Sequence, residues 1–301
     1  MLRPHLEMFF VASAGQGIRS FVRLFLALGM DPNAVVLNGL TALMMASRNG
    51  HAGVAASLLD RGAEVNAEDE DGFTALIMAS RNGHLGIAGL LLDAGADANA
   101  ETGGGLTALM LATVSGHAEV VGLLLDAGAD ASAETRDGMT PLLWATAMDQ
   151  ASVAGVLVDR LRNSPAKSVV LLRTALTVAA KNGLTRTVRM LLDQVDVREK
   201  DTYGRTALTV AAGDGHSDAV KALLENGADA NAQDVFGRTA LMAAAGNGHV
   251  DVLSALLEGG ADVHQKDRDG STALMWARRS LAGAIRDSAV VRLLQAAGAV
   301  A

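Results

Sequence analysis

The chain has 301 residues, a net charge of −8 and no cysteine; half of its residues are apolar but only 3% are aromatic. Without cysteine there can be no disulfide framework or thiolate metal site; this suits a reducing compartment, so an intracellular, cytoplasmic location is expected. The negative charge disfavours a dedicated nucleic-acid binder, and no apolar run reaches the roughly 18 residues of a membrane span, so neither partner is expected.

At the N-terminus, Arg3 precedes a short apolar patch, Met8 to Ala12, and Ala12-Ser13-Ala14 resembles a leader cleavage site. Glu7 interrupts that patch, which is shorter than a secretory apolar core. Aligning Ala12 with Ala46, 34 residues on, instead makes residues 1–37 a degenerate first copy of the pattern that follows. That pattern is Thr-(Ala/Pro)-Leu, at Thr41, Thr74, Thr107, Thr140, Thr174, Thr206, Thr239 and Thr272, with intervals of 32 to 34 residues. A fixed period of this size predicts supersecondary units that must stack on their neighbours to bury a core.

Residues 72–99 illustrate one unit. Thr74 suits an N-cap, and Leu76 to Ala79 form a short first helix that Gly83 ends. His84 opens a second helix, whose Ile87, Leu90 and Leu91 fall at i, i+3 and i+4. Gly95 stops it, and Asn99 through Gly105 make an exposed turn toward the next threonine. Between 149 and 197 the pattern frays. Asp149-Gln150 replaces Gly-His, Leu172 replaces the turn glycine, Leu184 replaces histidine, and Asn163-Ser164-Pro165 predicts a helix break, with a looser joint near 160–173. The last copy is about four residues longer than the others between Arg278 and Val290. Charge changes along the chain as well: residues 1–160 carry 8 Lys/Arg against 18 Asp/Glu, residues 161–301 carry 17 against 15.

Gly-x-Thr-Ala-Leu, Gly-His and Leu-Leu-Asp-x-Gly-Ala-Asp-Ala-Asn resemble the signatures of the ankyrin repeat over about residues 5–301. The resemblance implies an all-α solenoid of about nine helix-turn-helix units with projecting finger turns, its first helices lining a concave groove. It divides the chain into a degenerate N-terminal capping repeat (1–37), regular repeats (38–160), an irregular repeat and joint (161–200), regular repeats (201–269) and an atypical C-terminal capping repeat (270–301). The family's Thr-Pro-Leu-His histidine is missing throughout. Met44, Ile77, Met110, Leu143, Thr177, Thr209, Met242 and Met275 stand there, so mostly apolar packing is expected instead.

Recurring polar residues suggest no chemistry. His51, His84, His117, His216 and His249 come one per unit, whereas a metal needs converging donors; holding the inter-helix turn is the expected role. The acids Asp60, Asp93, Asp126, Asp159, Asp193, Glu225 and Glu258 are likewise one per unit and are expected at solvated helix ends. Trp144 and Trp276 share a register expected in the core. Gly103-Gly104-Gly105 lacks the Lys-Ser/Thr ending of a phosphate loop. No nucleophile–base–orienter set can be assembled, so no enzyme and no cofactor are expected. Asn66, Asn99 and Asn231 are expected to steady turns; in some ankyrin proteins this asparagine is hydroxylated.

The remaining expectation is a scaffold for a protein or peptide, itself a monomer; the alternative is a targeting or regulatory module of a larger enzyme such as a ubiquitin ligase or kinase. By the resemblance, partners meet the finger tips, the residue before each capping threonine and the end of the first helix. The residues before the threonines are Leu40, Phe73, Leu106 and Met139, then Arg173, Arg205, Arg238 and Ser271. Tyr203 and Phe236 sit at finger tips, and Arg48 and Arg81 at helix ends. Regularly spaced apolar residues followed by arginines predict a partner with an apolar segment followed by acids.

Overall fold

In six of the repeats a threonine at the start of the first helix satisfies an otherwise orphaned backbone amide. The side chains of Thr41, Thr74, Thr107, Thr140, Thr206 and Thr239 accept from the N–H three residues on, as Ile77 N–H donates to Thr74 Oγ1 at 3.3 Å. Such a cap contributes about 1 kcal/mol and fixes where the helix starts. The computed structural model describes residues 3–161, 167–280 and 289–299. It divides into two compact units, Met1–Asn163 and Ser164–Ala301.

In unit 1 the helices pair as α1 (Arg3–Gly15) with α2 (Arg19–Ala27), α3 (Ala42–Arg48) with α4 (Ala52–Leu59), and α5 (Ala75–Arg81) with α6 (Leu85–Asp93). Two further pairs are α7 (Ala108–Val114) with α8 (Ala118–Asp126) and α9 (Pro141–Ala147) with α10 (Ala151–Leu161). In unit 2 they are α11 (Lys167–Lys181) with α12 (Thr185–Leu192), and α13 (Ala207–Asp214) with α14 (Ser217–Glu225). The last two are α15 (Ala240–Asn247) with α16 (Val250–Glu258) and α17 (Ala273–Ser280) with α18 (Ala289–Ala296). Nine helix pairs therefore stand among the described residues, and the only extended pairings are isolated bridges such as Val35 with Thr41.

Within each unit, first helices pack on first helices and second on second. Their contact faces are small: Ala42, Ala46, Ala75, Ala79, Ala108 and Ala112 are almost wholly buried beside Leu43, Leu76 and Leu109. Alanine at these positions lets helices approach closely and favours the helix itself. The replaced-histidine register behaves as its apolar residues predict at Met44, Ile77, Met110 and Met242, all buried, but Met275 is 37% exposed.

Polar side chains lock successive pairs together. Asn66 Nδ2–H donates to Gly95 O at 3.1 Å while its Oδ1 accepts from Asp97 N–H at 2.8 Å. Asn99 and Asn231 repeat this arrangement one repeat on from themselves. Asn33 does so too, and its Asp-Pro-Asn context had hidden it. These asparagines steady the turn of the following repeat rather than their own.

The histidines act similarly: they hold an inter-helix turn, as expected, and it is that of the preceding repeat. Nε2–H of His51, His84, His216 and His249 donates to a carbonyl about one repeat earlier, that of Gly15, Arg48, Lys181 and Gly213, at 3.1, 3.1, 2.8 and 3.0 Å. Each helix end is thereby capped by the next repeat, since its last carbonyls lack intrahelical partners. The ring also explains the turn glycine. Gly83 has φ +73°, and a Cβ there would lie 2.6 Å from Cε1 of His117.

Three sequence expectations need correction. Phe10, Val11, Ser13 and Ala14 are buried as Leu43, Met44, Ala46 and Ser47 are, so Ser13, 33 residues away, is the counterpart of Ala46, not Ala12. Thr174 caps no helix. With Leu172 in place of the turn glycine, α11 runs through it, and its hydroxyl donates back to Val170 O at 2.8 Å. Neither tryptophan is a core residue. Both are half-buried; Trp276 donates its indole N–H to Asp267 at 2.8 Å, and the buried indole nitrogen of Trp144 has no partner. The break expected at Asn163-Ser164-Pro165 and most of the longer segment before Val290 lie outside the described residues.

Candidate protein-binding surface

The fingers are built on one recurring turn. Asp69 Oδ1 accepts from the N–H groups of Asp71 and Phe73, at 3.0 and 2.8 Å. Asp201, Asp234 and Asp267 do the same in unit 2, while Thr102 and Thr135 hold the N–H of Leu106 and Met139 by hydroxyl. Neighbouring fingers join through the backbone, as Glu70 N–H donates to Asn38 O at 3.0 Å and Val235 N–H to Tyr203 O at 3.0 Å. This clamp draws the residue before the capping threonine into the finger base. Leu40, Phe73, Leu106 and Met139 are accordingly half-buried, so the apolar stripe exposes less than its sequence suggests.

Four of the expected site residues come together in unit 1. Leu40, Phe73, Arg48 and Arg81 line one cleft of about 350 Å³, with Met78 at its floor and Asn38, Asn82, Asp69 and Asp71 around it. Fingers form one wall; the ends of α3 and α5 form the other. Arg48 and Arg81 are exposed and form no ion pair with a described residue, although Asp69 and Asp71 stand in the same cleft. A second hollow of similar volume, about 350 Å³, is lined by Asn33 and Asn66, whose amides are already engaged, and by Glu64 and Glu68. It offers no cation.

The arginines of unit 2 stand differently. Arg205 donates through Nε to Asp201 Oδ2 at 2.9 Å, and its Nη2 lies 2.9 Å from the same carboxylate. Arg238 repeats this on Asp234 at 2.7 Å. Each guanidinium also lies over the neighbouring ring, Arg205 5.2 Å from the centre of Tyr203 and Arg238 4.7 Å from that of Phe236. Tyr203 and Phe236 remain more than half exposed. Asp201 is held below its ordinary pKa: burial pushes it up, but hydrogen bonds from the Arg205 backbone and guanidinium and the Tyr203 N–H, with the Arg205 charge, outweigh that. Arg173 lies inside α11, not in a finger, half-buried and 3.4 Å from Glu199. All three expected cations are therefore already matched by a carboxylate. The sequence signal for this pairing is an aspartate four residues before each finger arginine, a spacing familiar from helices that here spans a turn.

No group of three or more potential metal ligands converges among the described residues. None of the described helices is long and apolar enough to cross a membrane.

The repeat geometry has its counterpart in known sequences. The family model described as ankyrin repeats (3 copies) matches residues 9–102, 97–167, 161–234 and 215–300. Comparison with curated proteins gives no match. Together these matches span nearly the whole chain, which belongs to the ankyrin-repeat family.

Proposed function

We propose that the chain is a non-catalytic interaction scaffold whose unit 1 cleft holds an extended segment of a partner protein. Ankyrin repeats are in general protein–protein interaction modules. The observation that carries the finer reading is the placement of the Arg48 and Arg81 guanidiniums, neither ion-paired to a described residue, beside the half-buried Leu40 and Phe73 and the buried Met78 in one cleft. An apolar side chain of the partner packs on Phe73, and carboxylates meet the two arginines, which favour planar, bidentate contact with such groups. The arginines are one repeat apart, about 8–10 Å between packed helices. An extended strand rises about 3.3 Å per residue, so acids about three residues apart match them. Arg205 and Arg238 act with Tyr203 and Phe236 as rigid finger edges in unit 2; a partner acid there must compete with Asp201 or Asp234.

A displayed peptide library panned against the whole chain tests this. Enriched peptides should carry an apolar residue between acids and lose at least tenfold in affinity on Phe73→Ala or on Arg48→Glu with Arg81→Glu. Selected peptides that bind these folded variants as tightly as the parent would remove the cleft from the account.

A further inference from the structure

Every later pair of unit 1 hides the face that its predecessor covers. Ala42, Ala75, Ala108 and Pro141 are buried on the first helices; Val54, Ile87, Val120 and Val153 are buried on the second. In the 33-residue register, their counterparts in the first pair are Phe9 and Phe21, which are 61% and 46% exposed. Leu24 extends the Phe21 stripe at i+3 along α2 and Leu28, the residue that ends the helix, follows at i+7; they are 53% and 75% exposed. Leu6 and Met8, 45% and 48% exposed, lie near Phe9 on α1. An edge-on contact of Phe10 with Phe25, 6.0 Å between ring centres, holds the two helices together, so the two stripes adjoin.

On the last described pair the exposed residues are polar: Arg278 and Arg279 on α17 and Arg292 and Gln295 on α18, while Val290, Val291 and Leu294 are buried. On the first pair the exposed face is apolar, and exposed apolar patches of this size mark interfaces. From this we infer that the outer face of α1 and α2 is a self-complementary interface through which two copies of the chain meet head to head.

Area, charge and symmetry select a second copy. With about 200 Å² for each large apolar side chain, the six exposed fractions amount to roughly 600 Å² per copy. Two such faces remove about 1,200 Å² from water before any polar rim is counted, the lower bound for a specific interface, so micromolar association is expected. Residues 1–37 carry three Lys/Arg and two Asp/Glu, whereas residues 38–160 carry five against 16. The apolar end is thus the one part of unit 1 where two copies meet without strong acid–acid repulsion. Head-to-tail growth would set the same face against the arginines of the last pair, whereas an isologous contact closes on itself. A lipid surface fits less well. Residues 1–37 carry a net charge of only +1, with Arg3 paired to Glu7 at 3.2 Å, far short of the basic cluster that an anionic bilayer attracts.

Light scattering on the full chain should give, at tens of micromolar, a mass near twice the 30.9 kDa of one copy, falling on dilution. Phe9→Glu with Phe21→Glu should give the single-copy mass with unchanged circular dichroism and melting midpoint. The chain has no cysteine, so Gln16→Cys, an exposed site beside the patch, accepts single donor and acceptor dyes. Energy transfer between copies should be efficient and should vanish in the double variant. A single-copy mass at all concentrations, a dimer that survives the double substitution, or a dimer without transfer would each overturn the inference. So would a monomer that sediments with phosphatidylserine vesicles unless Phe9 and Phe21 are replaced.

Discussion

Thr187 in α12 is wholly buried, and its hydroxyl oxygen has no hydrogen-bond partner. The same register holds Val54, Ile87, Val120 and Val153 in unit 1 and Ala219 and Val252 in unit 2, all buried and apolar. Thr187→Val keeps the shape and the β-branched stiffness of the side chain, so neither helix propensity nor packing should suffer. It removes a hydroxyl whose unmatched burial costs about 1–3 kcal/mol. We expect a gain of about 1–2 kcal/mol, which for a cooperative unit of this size raises the midpoint by about 3–6 °C. Scanning calorimetry with urea titration measures both. Thr146→Val is the matched control, because its hydroxyl donates to Leu142 O at 2.7 Å; it should bring no gain. A Thr187→Val midpoint equal to or below the parent would show that this hydroxyl is satisfied and that the register assigned to α12 is wrong.

Other substitutions probe the bonds between repeats. Asn99→Ala removes the contacts to Gly128 O and Asp130 N–H and should cost about 1–2 kcal/mol by urea titration. Gly83→Ala combines a left-handed backbone with collision against His117 and should cost about 2–4 kcal/mol. Gly62→Ala, with φ +81° and open space around it, should cost only about 1–2 kcal/mol, and the difference isolates the imidazole contact. The lowered pKa of Asp201 means that its folded form holds the carboxylate more strongly than the unfolded chain. Its stabilisation is fully present above the unfolded value of about 3.9 and is lost as pH falls below that toward the folded value. Asp201→Asn should therefore flatten the decline of stability below pH ~4, measured as melting midpoint against pH.

What could be read from sequence was mostly what is local. Thr74 and Gly83 act within a few residues of themselves, so cap and stop were visible in one unit. Which turn His84 holds was not, because its acceptor, the Arg48 carbonyl, is 36 residues away and belongs to another unit. Asn66 was rightly placed in a turn, yet the backbone it holds lies one repeat on. At 167–181 the missing glycine was noticed, but a turn was still expected before Thr174; without a breaker, the helix continues through it. Arg205 and Arg238 look like free charge in sequence because the pairing with Asp201 and Asp234 depends on the turn that brings them together. Leu40, Phe73, Arg48 and Arg81 were chosen from repeat position alone, and the fold brings these four to one cleft. Which sides of it stay wet, and which finger residues sink to half-burial, depends on how neighbouring fingers bond, and no single unit encodes that.

The central claim is most directly tested by amide chemical shifts of the whole chain, followed as a selected acidic-apolar peptide is added. Changes concentrated at residues 38–40, 48, 69–73 and 78–82 are predicted, with the second helices α4, α6 and α8 unmoved. Saturable binding that shifts those second helices and leaves Phe73 and Arg81 unchanged would contradict it.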